Sequence, residues 1–545
     1  MHRPTSHIST RTFTLAILVV FLVSFSWFLF LQMKPVFPDP DSFYHIKMAQ
    51  LIQRQGVVEH FPWLAFTGLT NYYTDQHLLY HVFLVPFVAL FEPVFGAKLA
   101  TICINAALFA LLAAFLIHHR VRWWWVFILI LLFTNPFLFR INLVKAPGLS
   151  LILLLVGLWL LFARRIWPLA ILGFLYVWTY GGFTLLGIFG AVFVAVTLVH
   201  DWHHRSIVAS VFRHFSLRRF SLSRFLADRR LFPLYAIILG LCAGLLINPY
   251  FPKNLFFYWQ QLIQIGIVNF QNVVNVGGEW HPYGFVELIA NTVFVSIVVL
   301  LGLVALVLAR RRQSKESWTL FLLTVFLFLI TLKSRRYVEL YVPLATLFAA
   351  FALRDGIPGS LLSAAKRMYA LMGKRVGLAI LLGLYIAGAA VMVVVRDERQ
   401  LIRDMQSGFR PEYLAGVGTW LRNHTPKDSV VVQSDWDEFP SLFYHDDHNR
   451  FIVGLDPTFM FQYDRALYQR WADLTSGNRT SDATQIIVND LKSTTVVVTK
   501  DHQAFQKTME QQPAFRVVYD DADATIYQLK KSQQLVPGTQ AETFP

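Results

Sequence analysis

Acidic and histidine side chains gather in one stretch of a chain that is otherwise apolar: Asp39-Pro-Asp41-Ser-Phe-Tyr-His45, then Tyr73-Thr-Asp75-Gln-His77-Leu-Leu-Tyr-His81. Carboxylates beside imidazoles can hold a divalent cation or take a proton from an attacking group. A plainer reading makes an Asp the cap of a helix starting near Ser42 and leaves Asp75, His77 and His81 as interfacial hydrogen-bonding groups. Their spacing matches no standard metal site. Further along stand Gly277-Gly-Glu279-Trp-His-Pro282, Arg335-Arg-Tyr337 and Asp435-Trp436-Asp437-Glu438-Phe439. By the topology derived below, the two arginines end a helix on the outer side, against the usual distribution of basic residues, so they meet an anion there. Glu339 or a lipid headgroup phosphate would serve as well as a substrate phosphate.

These groups need elements to hold them, and the composition says of what kind. Of 545 residues, 55% are hydrophobic and only 15% charged, with a mean hydropathy of +0.48. No ordinary soluble domain is so apolar. Runs of near-spanning length at 12–33, 97–117, 123–140, 148–163, 167–181, 183–199, 231–248, 286–309, 318–332, 337–353 and 376–395 predict about eleven transmembrane helices. The first lacks a small-residue cleavage site and reads as a retained helix rather than a signal peptide.

With the N-terminus in the cytoplasm, His118–Arg122, Arg164–Arg165, His200–Arg230, Arg310–Lys315 and Arg354–Arg375 all fall on the basic, inner side. The net charge of +15 is then mostly topology. The most basic loop, with Arg205, Arg213, Arg218, Arg219, Arg224, Arg229 and Arg230, reads as a contact for anionic lipid, and nucleic acid is not an expected partner. Cys103 and Cys242, the only cysteines, lie in apolar runs and offer neither a disulfide framework nor a thiolate metal site.

The tail changes character near 397. Ser429–Gln433, Gln485–Val488 and Thr494–Thr499 read as strands between helical stretches, a small α/β domain. The expected fold is a polytopic α-helical membrane domain over 1–396, with a first outer loop at 34–80, followed by an extracytoplasmic α/β domain over 397–545.

An acidic Asp-Pro-Asp stretch after the first helix, a helix end at Tyr180-Gly-Gly182, the Glu279 loop, Arg335-Arg-Tyr337 with Pro343 following, and a terminal domain with Pro426-Lys-Asp-Ser-Val-Val431 and Trp436-Asp437 stand in one order along the chain. That order resembles the catalytic subunit of oligosaccharyltransferases, GT-C membrane enzymes that move a glycan from a polyprenyl carrier to asparagine. The resemblance implies roles residue by residue. Asp41 matches the catalytic Asp that binds metal and engages the acceptor, with Asp39 beside it; Glu279 resembles the acidic residue of a flexible outer loop, giving a metal set of Asp41, Asp39 and Glu279 for Mg2+ or Mn2+. Arg336, with Arg335 and Tyr337, resembles the segment that contacts donor or acceptor, and His77 and His81 border the same outer surface.

Two departures modify that reading. Where the family has an acidic pair after an arginine, this chain reads Arg140-Ile-Asn-Leu-Val-Lys145-Ala-Pro147. A protonated lysine cannot ligate a cation, but its charge can neutralise a leaving phosphate. This weakens the case for strict metal dependence and favours a monophosphate donor. Where the family has a Trp-Trp-Asp-Tyr-Gly acceptor-reading motif, only Trp436 and Asp437 keep their places, which opens the acceptor to protein sites other than a sequon, or to a glycan. Trp436 and Asp437 also fit as a buried aromatic and a turn residue.

The expectation is a glycosyltransferase that passes a sugar or oligosaccharide from a polyprenyl phosphate or diphosphate to an acceptor on the outer face, with inversion. Membrane lipids are its surroundings. A bacterial inner membrane, with the N-terminus cytoplasmic and the terminal domain periplasmic or extracellular, suits it. The rival is a non-catalytic or transport protein that binds lipid-linked glycans on a retained GT-C fold.

Overall fold

The computed structural model describes residues 9–209, 226–357 and 376–530. Arg213, Arg218, Arg219 and Arg224 of the most basic loop, and 358–375 of the last inner connection, lie outside the described residues. The chain forms two compact units. One comprises Met1–Pro38, Gln76–Asn248 and Gly278–Gly408; the other comprises Asp39–Asp75, Pro249–Gly277 and Phe409–Pro545.

The first unit is helical. Among the described residues six helices are long and apolar enough to cross a membrane, or eight if two bent pairs each count as one span. Three shorter apolar helices, Leu78–Leu90, Pro147–Phe162 and Ile166–Thr179, accompany them, and the expected span at 376–395 lies within the helix Val376–Met405. Pro93–His118 and Arg335–Gly356 form the centre, each 83% buried over its apolar window, whereas Thr10–Leu31 is 22% buried and turns its apolar side outward. Side-chain size decides one close packing: a Cβ on Gly240 would come within 2.0 Å of the Ala170 carbonyl oxygen, so only glycine lets Phe232–Leu246 approach Ile166–Thr179 so closely.

Two expected continuous spans are broken. Trp124–Leu132 and Asn135–Asn142 meet at 70°, and Phe285–Asn291 and Val293–Leu308 at 100°. At the first break Pro136 opens the second helix, where its missing N–H leaves no bond unmade but cannot continue the preceding helix. The bend delivers Arg140 to the last turn of a short helix.

The second unit is built on a five-stranded sheet: β1 (Val430–Val432), β2 (Arg450–Phe451), β3 (Thr495–Thr499), β4 (Phe515–Asp520) and β5 (Ala524–Leu529), in the order β2-β1-β3-β5-β4. β1 is parallel to β2 and β3, and β5 is antiparallel to β3 and β4. Every residue of β3 is buried, as a central strand covered on both faces should be, hence its unalternating Thr-Val-Val-Val-Thr. The strand expected at Gln485–Val488 is instead helical, Ala483–Gln485 running into Ile486–Asp490. Ala483, Ile486 and Ile487 are the buried positions, the i, i+3, i+4 spacing of a helix face.

Residues 39–75 are sewn to this sheet. Ala65 donates its N–H to the Phe451 carbonyl (2.8 Å) and Phe451 donates to Trp63 (2.7 Å), while Lys47 pairs with Asp447 at 3.1 Å. The α/β unit therefore takes in first-loop chain as well as chain after 408.

Candidate active site

In the helical unit the loop carrying Glu279 is pinned to the segment Arg335–Tyr337. Ser334 Oγ donates to the Glu279 carbonyl (2.9 Å), the Arg335 N–H to the His281 carbonyl (3.0 Å) and Arg335 Nε to the Pro282 carbonyl (3.1 Å). Main-chain bonds fix where both side chains start. Arg336 then lies over the Trp280 ring, 4.4 Å from its centroid, and reaches Glu279 Oε1 at 3.4 Å. Arg335 goes elsewhere, to Glu287 at 3.1 Å.

Glu279 is shared. Arg140 Nη1 donates to its other oxygen, and Arg140 Nε donates to Glu339 Oε2 at 2.9 Å. Arg140 is 8% exposed and Glu339 2%, so this alternation of charge is largely out of water. Tyr180 reaches Glu339 at 3.5 Å, and the His77 ring stands 5.7 Å from that of Tyr180, its Nδ1 3.4 Å from the Thr179 carbonyl oxygen. His81 is buried, its ring 6.2 Å from that of His77. Burial by itself would push the Glu279 carboxyl up, but Arg140, Arg336 and Lys145 together hold it well below the usual carboxylate range. Lys145 is thus in electrostatic reach of the array. A cavity of about 610 Å³ opens on Arg140, Glu279 and Arg336, with Asn135, Arg335 and Arg396 also in its lining.

Glu279 does not suit a cation ligand, because both its oxygens face guanidinium groups and a third positive charge lies near. Breaking the array is expected to be expensive. Arg140→Met strands Glu339 in a dry position, a loss of about 3–5 kcal/mol for a broken buried pair. Thermal unfolding in detergent should show it as a lowered Tm, and Arg140→Met with Glu339→Gln should recover most of the difference.

The α/β unit carries the other half of the expected residues. Asp41 begins the helix Asp41–Gln55, and its own N–H is held by Asp39 Oδ1 at 2.9 Å. Asp39 is thus a turn-forming residue. Trp436 to Glu438 form a turn of 3-10 helix behind Asp435, and Trp436 Nε1 donates to the Asn275 carbonyl at 2.9 Å. Burial, reinforced by Asp435 and with Asp41 and Asp501 in reach, pushes the Asp437 carboxyl up to about 6. Asp75 is buried and lies within electrostatic reach of Tyr44, Tyr73, Tyr250 and Tyr258; His77 and His81 are counted in the helical unit.

Sequence reasoning named Arg140 and Glu339 without pairing them, and gave no role to Glu438 or His502. A lone arginine in Asn135-Pro-Phe-Leu-Phe-Arg140 and a lone glutamate in an apolar helix were the available signal for the first pair, since charges in such segments seek each other. Glu438 Oε1 accepts from the Thr499 hydroxyl (2.6 Å) and Oε2 from the Ser434 N–H (2.9 Å), with His502 Nδ1 3.4 Å away. Burial raises the Glu438 carboxyl, and the hydrogen bond that His502 donates to Asp435 raises His502. Both shifts favour the protonated forms. The contribution of His502 is complete below its ordinary pKa of about 6.5 and is lost as pH rises through its higher folded value; the penalty for Glu438 grows as pH climbs above about 4.3. The Tm of the α/β unit should therefore fall between about pH 6 and pH 9, and Glu438→Gln with His502→Gln should flatten that slope.

No protein-family model and no curated protein matches the sequence. Solved structures do match. AglB, an archaeal oligosaccharyltransferase from Archaeoglobus fulgidus solved with an inhibitory peptide and a dolichol-phosphate, matches with a TM-score of 0.61 and 14% identity over 96% of this chain and 75% of its own. The arabinofuranosyltransferase AftD from mycobacteria matches at 0.53 and 13% identity over 96% of this chain, which spans only 40% of AftD. The polytopic GT-C fold expected from the sequence is the fold that these structures share with the chain.

Proposed function

We propose, from the fold shared with two glycosyltransferases, that this integral membrane protein transfers a sugar or oligosaccharide from a polyprenyl phosphate or diphosphate to an acceptor on the outer face of the membrane. The observation that carries the reading is the array in which Glu279 holds Arg140 and Arg336 together at the wall of a cavity, with Lys145 in electrostatic reach. Guanidinium groups held in place by a carboxylate are well suited to bind phosphate oxygens.

In the proposed reaction an acceptor oxygen or nitrogen attacks the anomeric carbon as the bond from that carbon to the phosphate oxygen breaks. The electron pair leaves with the phosphate, the acceptor's proton passes to Asp41, and one displacement inverts the anomeric centre. Arg336 and Lys145 meet the charge growing on the leaving oxygen, the place where fixed charges lower a barrier most. Glu279 holds Arg140 and Arg336 side by side. No step is routed through Mg2+ or Mn2+. Trp436 and Asp437 face the choice of acceptor, a protein site or a glycan.

The deciding experiment supplies purified protein with a labelled polyprenyl-linked sugar and looks for released carrier. Release supports a transferase; tight binding without release would support the rival, a lipid-glycan binding protein. The α/β domain is proposed to be extracytoplasmic, in a bacterial inner membrane, because that orientation leaves the basic connections inside. An alkaline phosphatase fused after Pro545 should be active and a cytoplasmic reporter there silent, and the reverse result would overturn the topology.

A further inference from the structure

We propose that the helix Lys253–Val268, which belongs to the α/β unit and not to any span, lies in the surface of the bilayer with its apolar side among the lipids. One side of this helix is committed to its own unit: Asn254, Phe257, Tyr258, Gln260 and Ile265 are buried, and Phe257 stacks on Phe459, centroids 6.2 Å apart. The other side is apolar and exposed. Leu255 is 45% exposed, Phe256 51%, Trp259 47%, Ile263 37% and Ile267 59%.

The backbone makes these residues a stripe. The first part, Lys253–Trp259, is α-helical, and Gln260–Val268 continues it as a π-helix. Its i→i+5 bonding gives a wider turn than the α-helix's 3.6 residues, so residues four apart, Trp259, Ile263 and Ile267, come nearly into line. In an α-helix each would be turned about 40° from the last. The aberrant helix type thus has a consequence: it keeps a single apolar edge over its length.

Three features point to lipid as the occupant. The preceding candidate span, Arg229–Leu246, ends seven residues before Lys253, and a chain of that length reaches at most roughly 25 Å, so the helix starts close to where the chain leaves the bilayer. The connection also carries exposed apolar side chains: Leu246 at 58%, Ile247 at 65% and Phe251 at 46%. Trp and Phe with a Lys at the leading end are the residues that interfacial helices use, the rings at headgroup depth and the ammonium reaching back to water.

The test uses the full-length protein in phosphatidylcholine–phosphatidylglycerol vesicles, with Cys103 and Cys242 replaced by alanine and a nitroxide attached at Trp259→Cys, Ile263→Cys or Ile267→Cys in separate variants. Collisions with oxygen, which concentrates in lipid, are compared with those of a water-soluble nickel chelate. A severalfold excess of oxygen over nickel at all three positions, with the opposite ratio at Asn478→Cys on the exposed surface of the same unit, is the expected result. Dominant nickel collisions would place the stripe in water and overturn the proposal. Low access to both reagents, with spin–spin broadening between labels, would assign the stripe to a second copy of the chain; low access without broadening would assign it to another protein surface. Either would equally overturn it. Since the labelled positions are exposed, one that failed to fold would leave two to decide.

Discussion

Asp41→Asn is expected to reduce transfer by at least about a hundredfold, the lower end of what a positioned general base contributes, while the protein inserts and melts as before. The swap keeps the size of the side chain and its place at the start of the helix Asp41–Gln55; the charge and the ability to take a proton go. Asp39→Asn should do much less. The bond from Asp39 Oδ1 to the Asp41 N–H needs an acceptor oxygen, which asparagine still has. Asp41 also adds to the repulsion that keeps Asp437 partly protonated near neutrality. Losing its charge should therefore shift the acid limb of any pH–rate profile that depends on Asp437 toward lower pH, a change with no counterpart in Asp39→Asn. Small and equal losses from the two substitutions would mean that both carboxylates merely shape the loop, and the catalytic assignment would fall.

What was legible in the sequence divides along physical lines. Apolar length is a local property, so the membrane helices could be read directly; the two bends were not, because a break at Thr134 or at Thr292 removes no apolar residue from the run. β1 and β3 stood out as β-branched runs between turns. Gln485–Val488 looked the same over four residues, and its helical register showed only when Ala483 was counted with it. Arg140 and Glu339 are 199 positions apart in the chain, and no local pattern pairs them. The joining of 39–75 and 249–277 to the sheet rests on similarly long-range bonds, such as Phe451 to Trp63 and Tyr468 to the Asn275 N–H. Arg336 was read as meeting an anion, and Glu279, not Glu339, is its ion-pair partner within 4 Å.

Lys145→Ala should slow transfer by roughly a hundredfold to a thousandfold, the range found when a donor aimed at a developing oxyanion is removed. The lysine stands where an acidic pair is expected from the family resemblance, and it contributes to holding Glu279 ionised, after Arg140 and Arg336. Its replacement by alanine would remove one of the three positive charges that act on Glu279 and so weaken the field that a donor phosphate would meet. Donor binding should weaken along with the chemical step, so kcat and KM should both worsen. Lys145→Arg should recover binding better than rate, since a guanidinium restores the charge on a longer, planar group that cannot occupy the same point. Because one charge is built into the protein, activity should also survive a chelator. The opposite pattern, loss on chelation with Lys145→Ala unaffected, would make Lys145 an interfacial residue and move the search for ligands elsewhere. His77, His81 and Asp75 would come first, and then Glu438, Asp501 and His502, whose ligand atoms lie within 4.8 Å of one another.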